Sequence, residues 1–502
     1  MVSMRFVASV ALCLVGSIVA QTITAPSRVL APPLDTPTCP PRVRKSWDAL
    51  TADEKDTYIS ALEVAMDVGY YQKFVWIHHE RMSNREAHGT CVFLFWHRKY
   101  LLAFENMLRS LGDRYACLTL PYWDYVQNYA TMATSPPGQA CASLETCASV
   151  AADLGGSTNG TASARPFFGV YYPTNKCITN RPANHLCSVA GSTDCDHCIP
   201  RGDWANTPMI PDMSIDSIRG QLFNTTSTIK NVSAKIELSP HDIVHDTLAG
   251  PMGNARVSPM DPIFYAHHNM MDLLHTIFYH CHVEPLGSLS DDDQQTHDHV
   301  FQGCRTNNGN NVTATSSLTM RVGGTKNPVD VAEDPLIGQF FQGLPTKYYK
   351  LTDVRALGYS FELKGLLGNL YTTCGNPDAE PQAKLNAFDV DHVVQPVTRQ
   401  GNLNILAFEK DVLAQATRQH MTTDQGYAEI RKMTVMLHAH CFPGSIRDFS
   451  DEFKTQWRIQ ATTPSVALLR DIQSGTNPIH IHSWTDYLFK HFGCRGDKLE
   501  VE

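Results

Sequence analysis

Two histidines four residues apart, His241 and His245 in the run His241-Asp242-Ile243-Val244-His245, constrain this chain more than any other feature. On a helix both imidazoles leave the same face and can converge on one ion. The zinc-protease use of this spacing needs a glutamate directly after the first histidine to act as base, and Asp242 stands there instead. A third histidine, His268, follows an irregular stretch with Gly250, Pro251, Gly253 and Pro259, and opens a new helical segment with Asp272 one turn later. Three neutral nitrogens from two helices then make one site.

The first half of the chain offers a second trio, His78, His88 and His97. Two trios imply two ions. Imidazole suits copper, zinc, iron and nickel, whereas di-iron oxygen sites draw on helix carboxylates in Glu-x-x-His motifs, which these segments lack. Six neutral ligands leave Cu(I) accessible, so all-imidazole ligation points to a redox-cycling copper pair.

Helical patterning supports that placement. Thr51 and Glu54 form a capping-box signature ahead of Tyr58, Leu62, Ala65 and Met66 at helical spacing. His97, Leu101, Phe104 and Leu108 share one face of a second helix. From 127 to 211 the pattern dissolves into Gly, Ser, Thr, Pro and Asn with several cysteines, which predicts a loop-rich insertion tied by disulfides. Residues 286–319 read as a polar linker. Beyond them, Met433-Val435-Leu437 and Ile479-Ile481 alternate as strands do, so 320–502 is expected to be a separate, partly β domain.

The N-terminus bears on where such a protein works. Arg5, an apolar run from Phe6 to Ala20 and the polar Gln21 match a secretory signal peptide over 1–20, followed by a Pro-rich leader over 21–44. Of fifteen cysteines, Cys13 lies inside that signal, and its removal leaves an even number, as complete pairing in an oxidising compartment requires. Sequons at Asn159, Asn224, Asn231 and Asn311 fit the same route. The expected product is secreted, without a membrane span. A net charge of −9 with no long basic run gives no footprint for nucleic acid.

The run from His88 through Phe93-Leu94-Phe95-Trp96-His97-Arg98 to Glu105, followed by Pro121-Tyr122-Trp123-Asp124, resembles the first copper-binding signature of the tyrosinases. Asp261-Pro262-Ile263-Phe264-Tyr265-Ala266-His267-His268 with Asp272 resembles the second. The resemblance spans roughly 45–284, within a copper-binding domain taken as 45–319. It implies a mainly α fold: a four-helix bundle around a dinuclear copper site, with His78, His88 and His97 on the first copper and His241, His245 and His268 on the second. Within the doublets it selects His78 over His79 and His268 over His267. Two departures matter. The gap from His78 to His88 is short, which keeps His79 as the fallback ligand, and no cysteine lies two residues before His88, so the cysteine–histidine thioether of some members is not expected; Cys91 is assigned to a disulfide or the core.

As function, the resemblance implies activation of dioxygen to hydroxylate monophenols at the ortho position and oxidise o-diphenols to o-quinones. Asp242 occupies the position where members with monophenolase activity hold Asn or Asp; it either orients a water acting as base or orients a copper-bound imidazole. The spacing does not place Glu237 as the usual upstream glutamate. Arg98 and Asp272 are read as a pair within the bundle or as two separate charges. The alternatives are a catechol oxidase, and a hemocyanin-like oxygen binder or latent zymogen whose bundle is shielded by 320–502. A third class, copper delivery, rests on His438/His440 and His480/His482, each pair on one face of an expected strand.

Overall fold

The computed structural model describes residues 39–135, 141–163, 165–189, 192, 195, 197–223, 228–376 and 392–494. The expected signal peptide, nearly all of the leader and the Asn224 sequon lie outside the described residues. The capping box forms as its sequence predicts: Glu54 N–H donates to Thr51 Oγ1 and Thr51 N–H to the Glu54 carboxylate, opening the helix Ala52–Asp67. Four further helices carry histidines of the two trios: Tyr70–His79, Phe93–Arg109, Ile243–Leu248 and Ile263–His282. The Phe93–Arg109 helix is buried on nearly every side, so it forms the axis around which the others pack. Phe104 stacks on Tyr265 of the Ile263–His282 helix, and Tyr71 and Phe74 close the cluster edge-on.

Charged residues lock the same helices. Arg44 bridges Glu105 at 2.6 Å and Asp272 at 2.9 Å, Arg98 reaches the other Asp272 oxygen, and Tyr359 donates to Asp272 at 2.6 Å. All are buried. Arg98 and Asp272 therefore pair within the bundle. The Cys-rich insertion is a three-stranded antiparallel sheet (Gly160–Ala162, Lys176–Ile178, Ile199–Arg201) with disulfides Cys141–Cys147, Cys177–Cys198 and Cys187–Cys195. A bidentate Arg201–Asp261 pair ties it to the start of the Ile263–His282 helix.

Two expectations need correction. Residues 286–319 are folded, not a linker: they hold a capped helix, Asp291–Thr296, and a strand pair, and the Cys91–Cys304 disulfide fastens them to the first trio's loop. Met433, Val435 and Leu437 lie on a helix, Thr423–Cys441. That helix is buried over most of its circumference, so a period-two subset of its apolar residues exists without marking a strand. Ile479 and Ile481 lie in irregular chain. The region from 320 onward has only short strands, and one, Ser360–Leu363, pairs in parallel with Val43–Arg44 at the start of the described chain. It keeps a small apolar cluster of its own around Phe408, Val412, Met433 and Leu488, yet residues from 39 onward form one compact body by contact. No described helix is long and apolar enough to cross a membrane.

Candidate metal centre

His78 lies in the last turn of Tyr70–His79, His97 in the second turn of Phe93–Arg109, and His88 just past the helix Arg81–Ala87 in extended conformation. Their rings approach to 4.8, 5.1 and 5.8 Å between centres. Each donates its Nδ1–H to a main-chain carbonyl: His78 to Arg256 at 3.3 Å, His88 to Asn84 at 3.2 Å, His97 to Phe93 at 2.9 Å. Because a carbonyl only accepts, these bonds fix the tautomer and leave each Nε2 with a lone pair. All three Nε2 atoms are buried with no hydrogen-bond partner. Such orphans are costly unless something accepts their lone pairs, and a metal ion does. His79 turns away, half-buried, its ring 4.8 Å from Trp76. The trio contains His78.

The second trio is built differently. The chain leaves the helix Ile229–Ile236 through a kink at Ser239-Pro240, then re-enters helix so that His241 and His245 share a face, with ring centres 4.4 Å apart. His245 Nδ1 donates to the Met252 carbonyl at 2.7 Å. His241 Nδ1 donates to the Asp242 carboxylate at 2.8 Å. The Nε2 atoms of both face His268 Nε2, at 3.3 and 3.1 Å. His267 also lies within reach: one nitrogen from each of His241, His245 and His267 falls within 4.8 Å of the others. The convergence is closer on His268, whose ring also stacks on His97 of the first trio at 4.4 Å and on Phe264 at 3.9 Å.

Burial drives every one of these imidazoles below its ordinary pKa, His88 to about 3. All six are neutral at physiological pH, as ligation requires. The donor set fits a pair of imidazole-preferring ions. Asp242 accepts the His241 Nδ1–H, a contact that orients that imidazole. Glu237, which its spacing did not place, accepts Gly89 N–H at 2.6 Å beside the first trio, and burial pushes it up to about 8. Asp242 is raised as well, by burial first and then by Glu237.

A residue of the 320–502 region that the sequence did not single out also packs against the site. Trp457, at the end of the helix Asp451–Trp457, packs against His245, His88 and His241 at 4.7, 5.2 and 5.6 Å between ring centres. Its Nε1–H donates to the Gly253 carbonyl at 2.9 Å, and Phe453 stacks on it from behind. The histidine pairs of the copper-delivery reading do not lie on strands: His438 and His440 are on the helix Thr423–Cys441, where residues two apart point to different faces. His438 is buried on a helix between Ser445 and Tyr129, and His480 lies in irregular chain.

The family model described as the common central domain of tyrosinase matches residues 68–280. The tyrosinase of Streptomyces glaucescens is 29% identical over 247 residues, 46% of this chain and 80% of that protein. Tyrosinase HcTyr1 of Hahella sp. is 28% identical over 222 residues, 43% of this chain and 42% of its own length, so this chain spans less than half of that relative. A solved polyphenol oxidase of Grenache grape (Vitis vinifera) superposes with a TM-score of 0.33 at 18% identity, over 65% of this chain and 86% of that one.

Proposed function

This chain belongs to the tyrosinase family of type 3 copper proteins, and from that premise we propose that it is a secreted oxidase that uses dioxygen to hydroxylate monophenols and oxidise o-diphenols to o-quinones. His78, His88 and His97 would hold one copper ion and His241, His245 and His268 the other. The observation that carries this reading is the set of buried imidazoles, five of which (His78, His88, His97, His241 and His245) donate Nδ1–H to carbonyl or carboxylate oxygens, while the Nε2 atoms of the first trio are left without a partner and those of His241 and His245 face His268 Nε2. When bound, the copper pair supplies the activation of dioxygen. The chain's own residues do the rest. Carbonyl and carboxylate partners keep five of the imidazoles, all but His268, in one tautomer, the aromatic rings of Phe93 and Phe264 pack against His241 and His268, and the buried Glu237–Asp242 pair, in its deprotonated form, would accept a phenol proton. Export is supported by the pairing of all cysteines outside residues 1–38 into seven disulfides.

One observation favours a second form of this reading, the latent enzyme. Trp457 packs against three candidate ligands, so a phenol ring docking on that face would have to displace it. The test of the main reading is copper content with oxygen uptake. Two copper ions per chain, with uptake on both a monophenol and an o-diphenol, support the tyrosinase. Uptake on the diphenol alone leaves the catechol oxidase, reversible oxygen binding without turnover leaves the carrier, and a single copper per chain rejects the six-histidine assignment.

A further inference from the structure

A cavity of about 740 Å³ lies on the outer side of the first trio, between the helices Tyr70–His79 and Arg81–Ala87, the loop before the second signature and the end of the Asp451–Trp457 helix. Arg81, Arg85, Arg256 and Arg458 line it together with the rings of Trp76 and Phe168, and among the described residues no carboxylate does. None of the four guanidinium groups makes an ion pair or a side-chain hydrogen bond with any described residue. In a protein that carries more acidic than basic residues, 50 against 41, four unpaired arginines in one cavity are not a consequence of composition. They are also mutually repulsive: burial, then Arg85 and Arg256, act against the charge of Arg458, with only the weaker attraction of Glu237 opposing them, and Arg458 is held in a left-handed backbone conformation (φ 60°) unfavourable to a side-chain-bearing residue. A fold that keeps such a group of like charges together leaves room for an anion between them.

We infer that this cavity is a binding site for an aromatic oxyanion, a flat ring carrying a carboxylate, sulfate or sulfonate. The guanidinium forks present paired N–H donors that match two oxygens of such a head group. Trp76 and Phe168, edge-to-face at 5.3 Å, supply an apolar wall for the ring. Arg458 directly follows Trp457, so an anion held between Arg458 and Arg85 or Arg256 relieves the repulsion at the residue next to the seated Trp457 ring and adds a tie that holds it. Occupancy therefore clamps the cover over the candidate copper site, a consequence that rests on the proposed oxidase reading, whereas the binding itself does not.

The experiment is calorimetric titration of the full-length protein, copper-loaded and metal-free, with a naphthalenesulfonate and with the neutral naphthalenesulfonamide. Saturable binding of the sulfonate alone, with or without copper, is expected, weakened at least tenfold in Arg85→Gln/Arg256→Gln and in Arg458→Gln. Equal affinity for the neutral analogue, or unchanged affinity in both variants, overturns the site. Because the substituted side chains are partly or fully solvent-exposed and unpaired, thermal midpoints should match wild type, and a variant that unfolds is replaced by Arg81→Gln/Arg85→Gln. In the copper-loaded protein, diphenol turnover should fall along the same binding curve; binding without that fall overturns the clamp and leaves the site.

Discussion

The indole of Trp457 lies 4.7 Å from the imidazole of His245, ring centre to ring centre, and is held there by a hydrogen bond to the Gly253 carbonyl. A phenol approaching the His241–His245–His268 side must displace it. Trp457→Ala should therefore raise kcat/KM for an o-diphenol at least about tenfold, equivalent to roughly 1.4 kcal/mol of barrier. The lost packing should lower stability by roughly 3–5 kcal/mol. Steady-state kinetics beside urea denaturation checks both, and unchanged turnover would remove Trp457 from any covering role.

The two members of the His267–His268 doublet are both buried, but His268 Nε2 is the atom that meets His241 and His245. His268→Ala is expected to lose half of the bound copper, while His267→Ala keeps it. Atomic absorption on dialysed protein decides the matter, and the reverse pattern would transfer the ligand to His267.

Monophenols need a proton removed that o-diphenols surrender more easily. Asp242→Gly and Glu237→Gln should both lower monophenol turnover by about tenfold or more, with a smaller effect on diphenol turnover. If Asp242 serves only to hold His241, its variant will depress both substrates equally and copper affinity with them. Parallel assays with copper quantitation separate the cases.

Asp272 accepts from Arg44, Arg98 and Tyr359 in the dry interior. Removing its charge leaves two buried guanidinium groups short of a partner, so Asp272→Asn should destabilise by roughly 3–5 kcal/mol, read from denaturant midpoints. A loss under about 1 kcal/mol would mean that Glu105 alone compensates the network.

Asp124 caps the helix Tyr125–Thr134 by accepting Gln127 N–H, and burial, outweighing that bond, raises its pKa from 3.8 to about 7. The folded state thus binds a proton that the unfolded state has released, and the stabilisation present below about pH 4 is lost as pH rises through about 7. Asp124→Asn keeps a capping oxygen and does not ionise. Between pH 5 and 8.5 the wild type should lose on the order of a few kcal/mol that the variant retains, measured as urea midpoints across that range.

The sequence by itself pointed to a histidine-ligated metal pair of the tyrosinase kind and to the helices that carry it. The i, i+4 spacing of His241 and His245, the capping box at Thr51 and Glu54, and the two signature runs are local patterns, and local patterns are written in a few consecutive residues. It also selected His78 over His79 and assigned Cys91 to a disulfide or the core. What it left undecided depends on residues far apart in the chain. Glu237 became part of the site only because the folded chain brings its carboxyl to the Gly89 amide, 148 residues away. Trp457 reached the histidines through the docking of a helix whose sequence carries no metal-site pattern, and residues 286–319, polar enough to pass for a linker, were drawn onto the core by one disulfide to Cys91. The strand-like alternation near Met433 misled for the same reason: burial on all sides of a helix erases the period that distinguishes it, and only the packing partners say which faces are covered. Tertiary structure decided the electrostatics as well, since the neutrality of the imidazoles, the raised carboxyls and the repulsion among Arg85, Arg256 and Arg458 all follow from which groups the fold desolvates together.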